Sequence, residues 1–200
     1  MNTKGKITYE ALNLFSIKGF DAISVRDIAN AVGIKASSIY NHFKNKQDIF
    51  DTIIEKYSEY ANKTLQNISD NTNKLILNKF QNLSDEQFWK IYTKTFRFFF
   101  NDEYIVKFRR ILTIEQFNST KVSQIYHKIF VDNILNAHTK ILNILMDEKL
   151  IIRRDPYILA VQFYSPIFLL FYKYENITDA EFETLKNHIL EFRNTYKMRG

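Results

Sequence analysis

The chain has 200 residues, of which glycine and proline together make up six. That is 3% against a usual share of about 12%, so a fold that must turn every ~8–12 residues is disfavoured and long helices lead. Cysteine is absent, which excludes disulfide frameworks, thiol nucleophiles and cysteine metal sites. The net charge is +6, with seven basic residues against three acidic ones in positions 1–47, a concentration of positive charge suited to a polyanionic partner.

The glycines stand at 5, 19, 33 and 200, so no phosphate-cradling glycine loop can occur beyond Gly33 and most nucleotide-dependent enzymes are disfavoured. Lys4 and Lys6 are followed by no apolar stretch of signal-peptide length. The most apolar run, Tyr157 to Tyr172, carries Gln162, Ser165 and Pro166 and is shorter than the ~20 residues of a membrane span. It reads as a buried or interface helix, and the protein is expected in the cytoplasm with no membrane partner.

In chain order, Ile7, Ala11, Leu14 and Phe15 share one helical face, and Gly19 is placed to end that helix. Ser24 and Asp27 make a capping box for a short second helix that turns Ile28, Ala29 and Val32 inward. Gly33 turns the chain into a third helix, from about Ala36 to Phe43, with Ile39 and Phe43 inward. Asn45 caps a fourth helix, 46 to about 66, with Asp48 at its third position. Two short helices around a glycine turn, after a supporting helix, form a helix-turn-helix.

Residues 7–57 resemble the DNA-binding domain of the TetR family of transcriptional regulators. The resemblance is carried above all by Ser24-Val25-Arg26-Asp27-Ile28-Ala29, Val32-Gly33-Ile34 and Ile39-Tyr40-Asn41-His42-Phe43-Lys44-Asn45-Lys46. Lys35 stands where the family often has a capping Ser or Thr, so that cap must come from elsewhere, and Lys35 is free to reach DNA. By the resemblance, Tyr40 and His42 are phosphate contacts, and Arg26, Lys35, Ala36, Ser37 and Ser38 lie where the family meets base edges or backbone. Lys46 sits at a helix start, where a cation and free amides both favour phosphate.

Beyond the head, Ser84-Asp85-Glu86-Gln87 is a capping box opening a helix to about Phe100. Phe88, Tyr92, Phe96 and Phe99 lie on one face of it. Helices follow at about 103–117 and 121–149. Arg153-Arg154-Asp155-Pro156 resembles the family's turn into its penultimate helix, here about 156–174, with Lys149-Leu150 where glycine is often found. Thr178-Asp179-Ala180-Glu181 opens a last helix, 178–196. Its Phe182, Leu185, Ile189 and Phe192 make a 3, 4, 3 packing seam.

His127 and His138, eleven residues apart on one helix, are separated by ~16 Å along the axis and cannot share a metal. The adjacent carboxylate pairs Asp102-Glu103 and Asp147-Glu148 do not face one way on a helix. No metal site, cofactor or catalytic residue is expected.

The resulting expectation is an all-α protein. Residues 1–47 form the helix-turn-helix DNA-binding domain, and residues 48–200 form a larger helical effector-binding and dimerisation domain. The function expected is a ligand-responsive regulator, a repressor in the first instance, that binds a near-palindromic stretch of double-stranded operator DNA as a homodimer. Its dimer interface is expected on the last two helices. The small-molecule effector, apolar or aromatic, is expected against Trp89, Tyr92, Phe96, Phe99, Tyr126, His127 and Gln162. The alternative, a small all-α enzyme with an aromatic cavity, finds no nucleophile–base pairing in the sequence. A corepressor-like module without DNA contact is disfavoured by Tyr40, His42 and Lys46.

Overall fold

The computed structural model describes residues 1–173 and 177–198. Apart from an isolated antiparallel bridge between Ile151 and Lys197, the elements among them are helical. They are α1 (Thr3–Lys18), α2 (Val25–Val32), α3 (Ala36–Ile39), α4 (Lys46–Lys79), α5 (Asp85–Asn101), α6 (Glu103–Glu115), α7 (Thr120–His127), α8 (Asn133–Asp147), α9 (Pro156–Lys173) and α10 (Asp179–Tyr196). Two compact units result. The first comprises Met1–Asn62 with Glu103–Ile129, the second Lys63–Asp102 with Phe130–Gly200.

In the first unit, α1 packs on α2 and α6, α2 on α3, and α6 on α7. Ile7, Ala11 and Phe15 are wholly buried as their spacing predicts. Leu12 joins them, whereas Leu14 is half-buried. Leu12 thus takes the inward place expected of Leu14 on a helix that packs against both α2 and α6. The rings of Phe15, Phe20 and Phe50 meet at centroid distances of 4.9–5.8 Å. Ile28, Ile39, Phe43, Ile49 and Ile53 complete a continuous apolar core.

Local chemistry sets the boundaries. The Ser24 hydroxyl accepts the Asp27 amide at 3.2 Å, and Asp27 accepts the Ser24 amide at 2.8 Å. The Ser24 hydroxyl, which donates to the Asp27 carboxylate at 2.6 Å, and after it the Ser24 amide hold that carboxyl below its ordinary range. Asn45 caps α4 by accepting the Asp48 amide at 2.9 Å, and Asp48 accepts the Lys44 amide at 2.8 Å. At the junction of α2 and α3, Gly33 takes a left-handed conformation with φ 78° and ψ 32°, and its amide closes on Ala29 and Asn30. No atom lies where a Cβ would sit, so Gly33→Ala adds backbone strain without a clash. We expect it to destabilise the protein by about 1 kcal/mol, read by urea unfolding; no loss would mean that the turn tolerates an ordinary residue.

Three helices depart from the sequence reading. The helix of α3 ends at Ile39 and gives way to turns in which the His42 and Phe43 amides both reach the Ile39 carbonyl. Lys35 supplies no side-chain cap. Helix α4 runs to Lys79, because no glycine or proline interrupts it before the Ser84 cap. The expected helix 121–149 is divided by a π-helical turn at Lys128–Asp132. There the buried Phe130 carbonyl accepts the Tyr164 hydroxyl at 2.6 Å, a partner on another helix that local sequence does not announce.

In the second unit α8 packs on α9, and α10 on both α5 and α9. Lys149 ends α8 with φ 55°, filling the left-handed place usually given to glycine. Asp155 accepts the Tyr157 and Ile158 amides at 2.9 and 3.0 Å and so caps α9 behind Pro156. The expected last residue of that helix, Tyr174, lies outside the described residues. The Ser84–Gln87 box opens α5, and Glu181 accepts the Thr178 amide at 2.8 Å to open α10. The 3, 4, 3 seam of α10 is filled from within the chain. Leu185 and Ile189 are 1% and 0% exposed, and Phe182 lies 5.5 Å beneath the Arg97 guanidinium.

Candidate nucleic-acid interface

The head places its charge by exclusion. One side of α2 and α3 supplies Ile28, Ala29 and Ile39 to the core. The remaining positions are left to solvent: Arg26, Lys35, Ser37, Tyr40 and His42 are exposed, and Ala36 and Ser38 are half-buried. Tyr40 is 58% exposed, high for an aromatic side chain and suited to donating a hydroxyl to a phosphate. Seven of the eight residues expected at DNA thus lie at or near the surface of the helix-turn-helix.

Lys46 behaves differently. Its Nζ donates to the Phe20 carbonyl at 2.8 Å and lies 4.1 Å from the centre of the Phe20 ring. The ammonium therefore ties the start of α4 to the loop between α1 and α2. On the other face of that loop, Glu115 at the end of α6 accepts the Phe20 amide at 2.7 Å, and its side chain is 7% exposed overall. The peptide groups of Phe20 are held from both sides. Gly19 makes this close approach possible, since with φ 78° a Cβ there would meet Glu115 Oε1 at 3.1 Å. Sequence reasoning missed this clamp, because Glu115 stands 95 positions from Phe20 and nothing in its local pattern marks it.

A second polar cluster lies in the same unit. Glu103 accepts the Tyr9 hydroxyl at 2.6 Å and pairs with Lys107, and these hydrogen bonds, Lys107 first, lower its pKa. Tyr57 stacks on Tyr104 at 5.7 Å, and burial pushes its phenol up to about 12.

The residues expected around an effector separate. Trp89, Tyr92, Phe96 and Phe99 all lie on α5 in the second unit, with Trp89 half-buried 5.7 Å from the Phe96 ring. Tyr126 and His127 belong to the first unit, the former buried and the latter exposed. Gln162 is exposed and accepts the Tyr196 hydroxyl at 2.8 Å. Of the seven, Tyr92 lines a small cavity of the second unit, together with Phe88, His138, Phe163 and Arg193. Among the described residues no group of three or more His, Cys, Asp or Glu could hold a metal, and no helix is long and apolar enough to cross a membrane.

Residues 7–53 match the family described as bacterial regulatory proteins, tetR family. A curated relative is the icaADBC biofilm operon negative transcriptional regulator IcaR of Staphylococcus aureus. It is 34% identical over 100 residues, which cover 50% of this chain and 47% of that one. The chain spans about half or less of the length of the curated relatives it matches. Among solved structures, a TetR-family transcriptional regulator from Mesorhizobium loti superposes with a TM-score of 0.68 at 18% identity, covering 98% of this chain and 96% of that one. A complex of triclosan with SmeT, a repressor from Stenotrophomonas maltophilia, gives a TM-score of 0.64 at 18% identity, over 99% and 93% of the two chains. These likenesses extend the shared fold along the whole length of the chain.

Proposed function

Because the chain belongs to the tetR family of bacterial regulatory proteins, we propose that it is a cytoplasmic, homodimeric transcriptional repressor whose affinity for operator DNA is set by a small molecule. The observation that carries this reading is the head itself. It is a capped helix-turn-helix with Arg26, Lys35, Ser37, Tyr40 and His42 exposed on a segment rich in positive charge. Residues 1–47 act as the DNA-binding domain, and residues 48–200 as the effector-binding and dimerisation domain. Tyr40 and His42 contact phosphates. Arg26, Lys35, Ala36, Ser37 and Ser38 approach base edges or backbone. Lys46 contributes by fixing the loop at Phe20, in addition to any approach to phosphate. No catalytic step is assigned.

A two-fold dimer sets two recognition helices about 34 Å apart, or a multiple, to match successive major grooves. The dimer face we assign is the outer side of α9. There Ile158, Leu169 and Tyr172 are 52%, 63% and 56% exposed, and with Gln162 and Ser165 they follow a 4, 3, 4, 3 spacing. Such a stripe forms a helix-packing seam when a second copy covers it. Leu169→Glu is expected to yield monomers in sedimentation and to weaken operator binding at least about tenfold, since each head alone gives up the linkage between half-sites. A Leu169→Glu protein that sediments as an intact dimer would move the interface elsewhere. An effector acts by binding one head separation better than another, and it shifts operator affinity by its differential affinity alone.

The experiment for the whole reading is selection from random double-stranded DNA. Enrichment of a near-palindrome with half-sites about 10 base pairs apart supports it, and enrichment of no sequence, or of one without symmetry, overturns it.

A further inference from the structure

We propose that the cavity of the second unit lined by Phe88, Tyr92, His138, Phe163 and Arg193 binds an uncharged, apolar molecule carrying a hydroxyl group, with the hydroxyl seated at Arg193. As a binding site the cavity stands on its own geometry; as the effector site it rests on the regulator reading above.

Arg193 is 4% exposed, and most of its donors are engaged. Nη1 donates to Asp85 at 3.0 Å, and Nη2 donates to the carbonyls of Leu83 and Phe80 at 2.6 and 3.1 Å. The guanidinium lies 4.7 Å from the Phe88 ring centre. Nε is buried and has no hydrogen-bond partner among the described residues. A buried N–H without an acceptor is rare and calls for one. The exposed Asp85 already pairs with Arg193, and a ligand carboxylate buried among these rings would have no cation of its own. The missing partner is therefore a neutral oxygen.

His138 supplies the complement. Its Nδ1 lies 2.8 Å from the Ile134 carbonyl, a bond that a neutral ring makes by carrying its proton on Nδ1, and Nε2 is left to accept. Burial lowers the pKa of this ring and so keeps it neutral. Arg193 Nε is fully buried, so a hydroxyl reaches it only when the surrounding rings spread; there it accepts from Nε while it donates to the neutral His138 ring. The other walls are apolar, with Phe163 4.8 Å from the His138 ring and Tyr92 5.4 Å from Phe163. The cavity measures about 30 Å³, room for one polar group, so the apolar remainder of a ligand must spread these rings. The liganded state then differs from the unliganded one, the condition for an effector to shift an equilibrium.

The test uses the full-length protein at pH 7 with three probes of one shape, 4-propylphenol, propylbenzene and 4-propylbenzoate, titrated by calorimetry against wild type and His138→Phe. The expected result is saturable binding of 4-propylphenol, propylbenzene weaker by about tenfold or more, and no measurable binding of 4-propylbenzoate. In His138→Phe the preference for the phenol over propylbenzene collapses, while propylbenzene, the internal control for folding, still binds. Equal or tighter binding of the benzoate, no saturable phenol binding, or an unchanged preference in His138→Phe overturns the proposal. Promoter-DNA affinity measured on the same samples separates the two readings. Phenol binding without DNA binding sinks the regulator and keeps the site, whereas DNA binding without phenol binding sinks the site and keeps the regulator.

Discussion

Arg193→Met lowers the stability of the protein by about 2–4 kcal/mol, because one substitution removes the donor for two backbone carbonyls and the partner of Asp85. The Phe80 and Leu83 carbonyls close the segment between α4 and α5, where a 3₁₀ turn at Phe80–Asn82 precedes the Ser84 cap. Both accept from Arg193 Nη2. Methionine fills most of the volume and packs against Phe80 and Phe88 but offers no hydrogen. Asp85 is exposed and regains water, so most of the loss comes from the carbonyls. Arg193→Lys should recover part of it, since an ammonium donates to these oxygens without the planar fork that serves all of them together. Urea unfolding of the three proteins measures this. A loss below about 1 kcal/mol for methionine would show that water satisfies the carbonyls.

The second large effect is at Glu115. Glu115→Ala removes the acceptor of the Phe20 amide and opens space beside Gly19, at an expected cost of about 1–3 kcal/mol. It acts on DNA affinity as well, because the loop it holds leads directly into the Ser24 cap of α2. Lys46→Met releases the carbonyl of the same residue, on the next peptide group. Two substitutions in one network are not additive, so the double variant should lose less than the sum of the single losses. Full additivity in a double-mutant cycle would mean that the two side chains act independently of Phe20. In Glu115→Ala the salt dependence of DNA binding should stay close to that of wild type, since that change removes no cation.

What the sequence reveals is what local chemistry decides. Ser24 with Asp27, Asn45 with Asp48 and Ser84 with Gln87 are caps that span three residues, and each forms as the pattern predicts. Gly33 is legible for the same reason: a turn between two short helices needs a left-handed residue. The π-turn at Lys128–Asp132 is hidden because the group that satisfies it, the Tyr164 hydroxyl, is 34 positions away. Periodicity identifies Leu185 and Ile189 as a seam but not what fills it, and α5 and α9 of the same chain do so. Lys46 reads as a phosphate ligand from its place at a helix start; its Nζ turns instead to a carbonyl 26 residues earlier. The aromatic face of α5 is visible in the sequence, whereas Arg193 and His138, which line the cavity with Tyr92, come from helices whose order in space the sequence does not state.

In the proposed regulator the head of α1 to α3 meets the phosphates of duplex DNA. The most direct test of this claim is fluorescence anisotropy of a labelled promoter fragment titrated with the full-length protein across a series of salt concentrations. Binding is expected in dilute buffer, with a logarithm of affinity that falls linearly with the logarithm of salt. The slope should flatten by about one for each cation withdrawn from the phosphates, as expected in Arg26→Ala and Lys35→Ala, whereas Tyr40→Phe, which removes a neutral donor, weakens binding at every salt concentration alike. No binding in dilute buffer, or a slope that Arg26→Ala and Lys35→Ala both leave untouched, would contradict the claim.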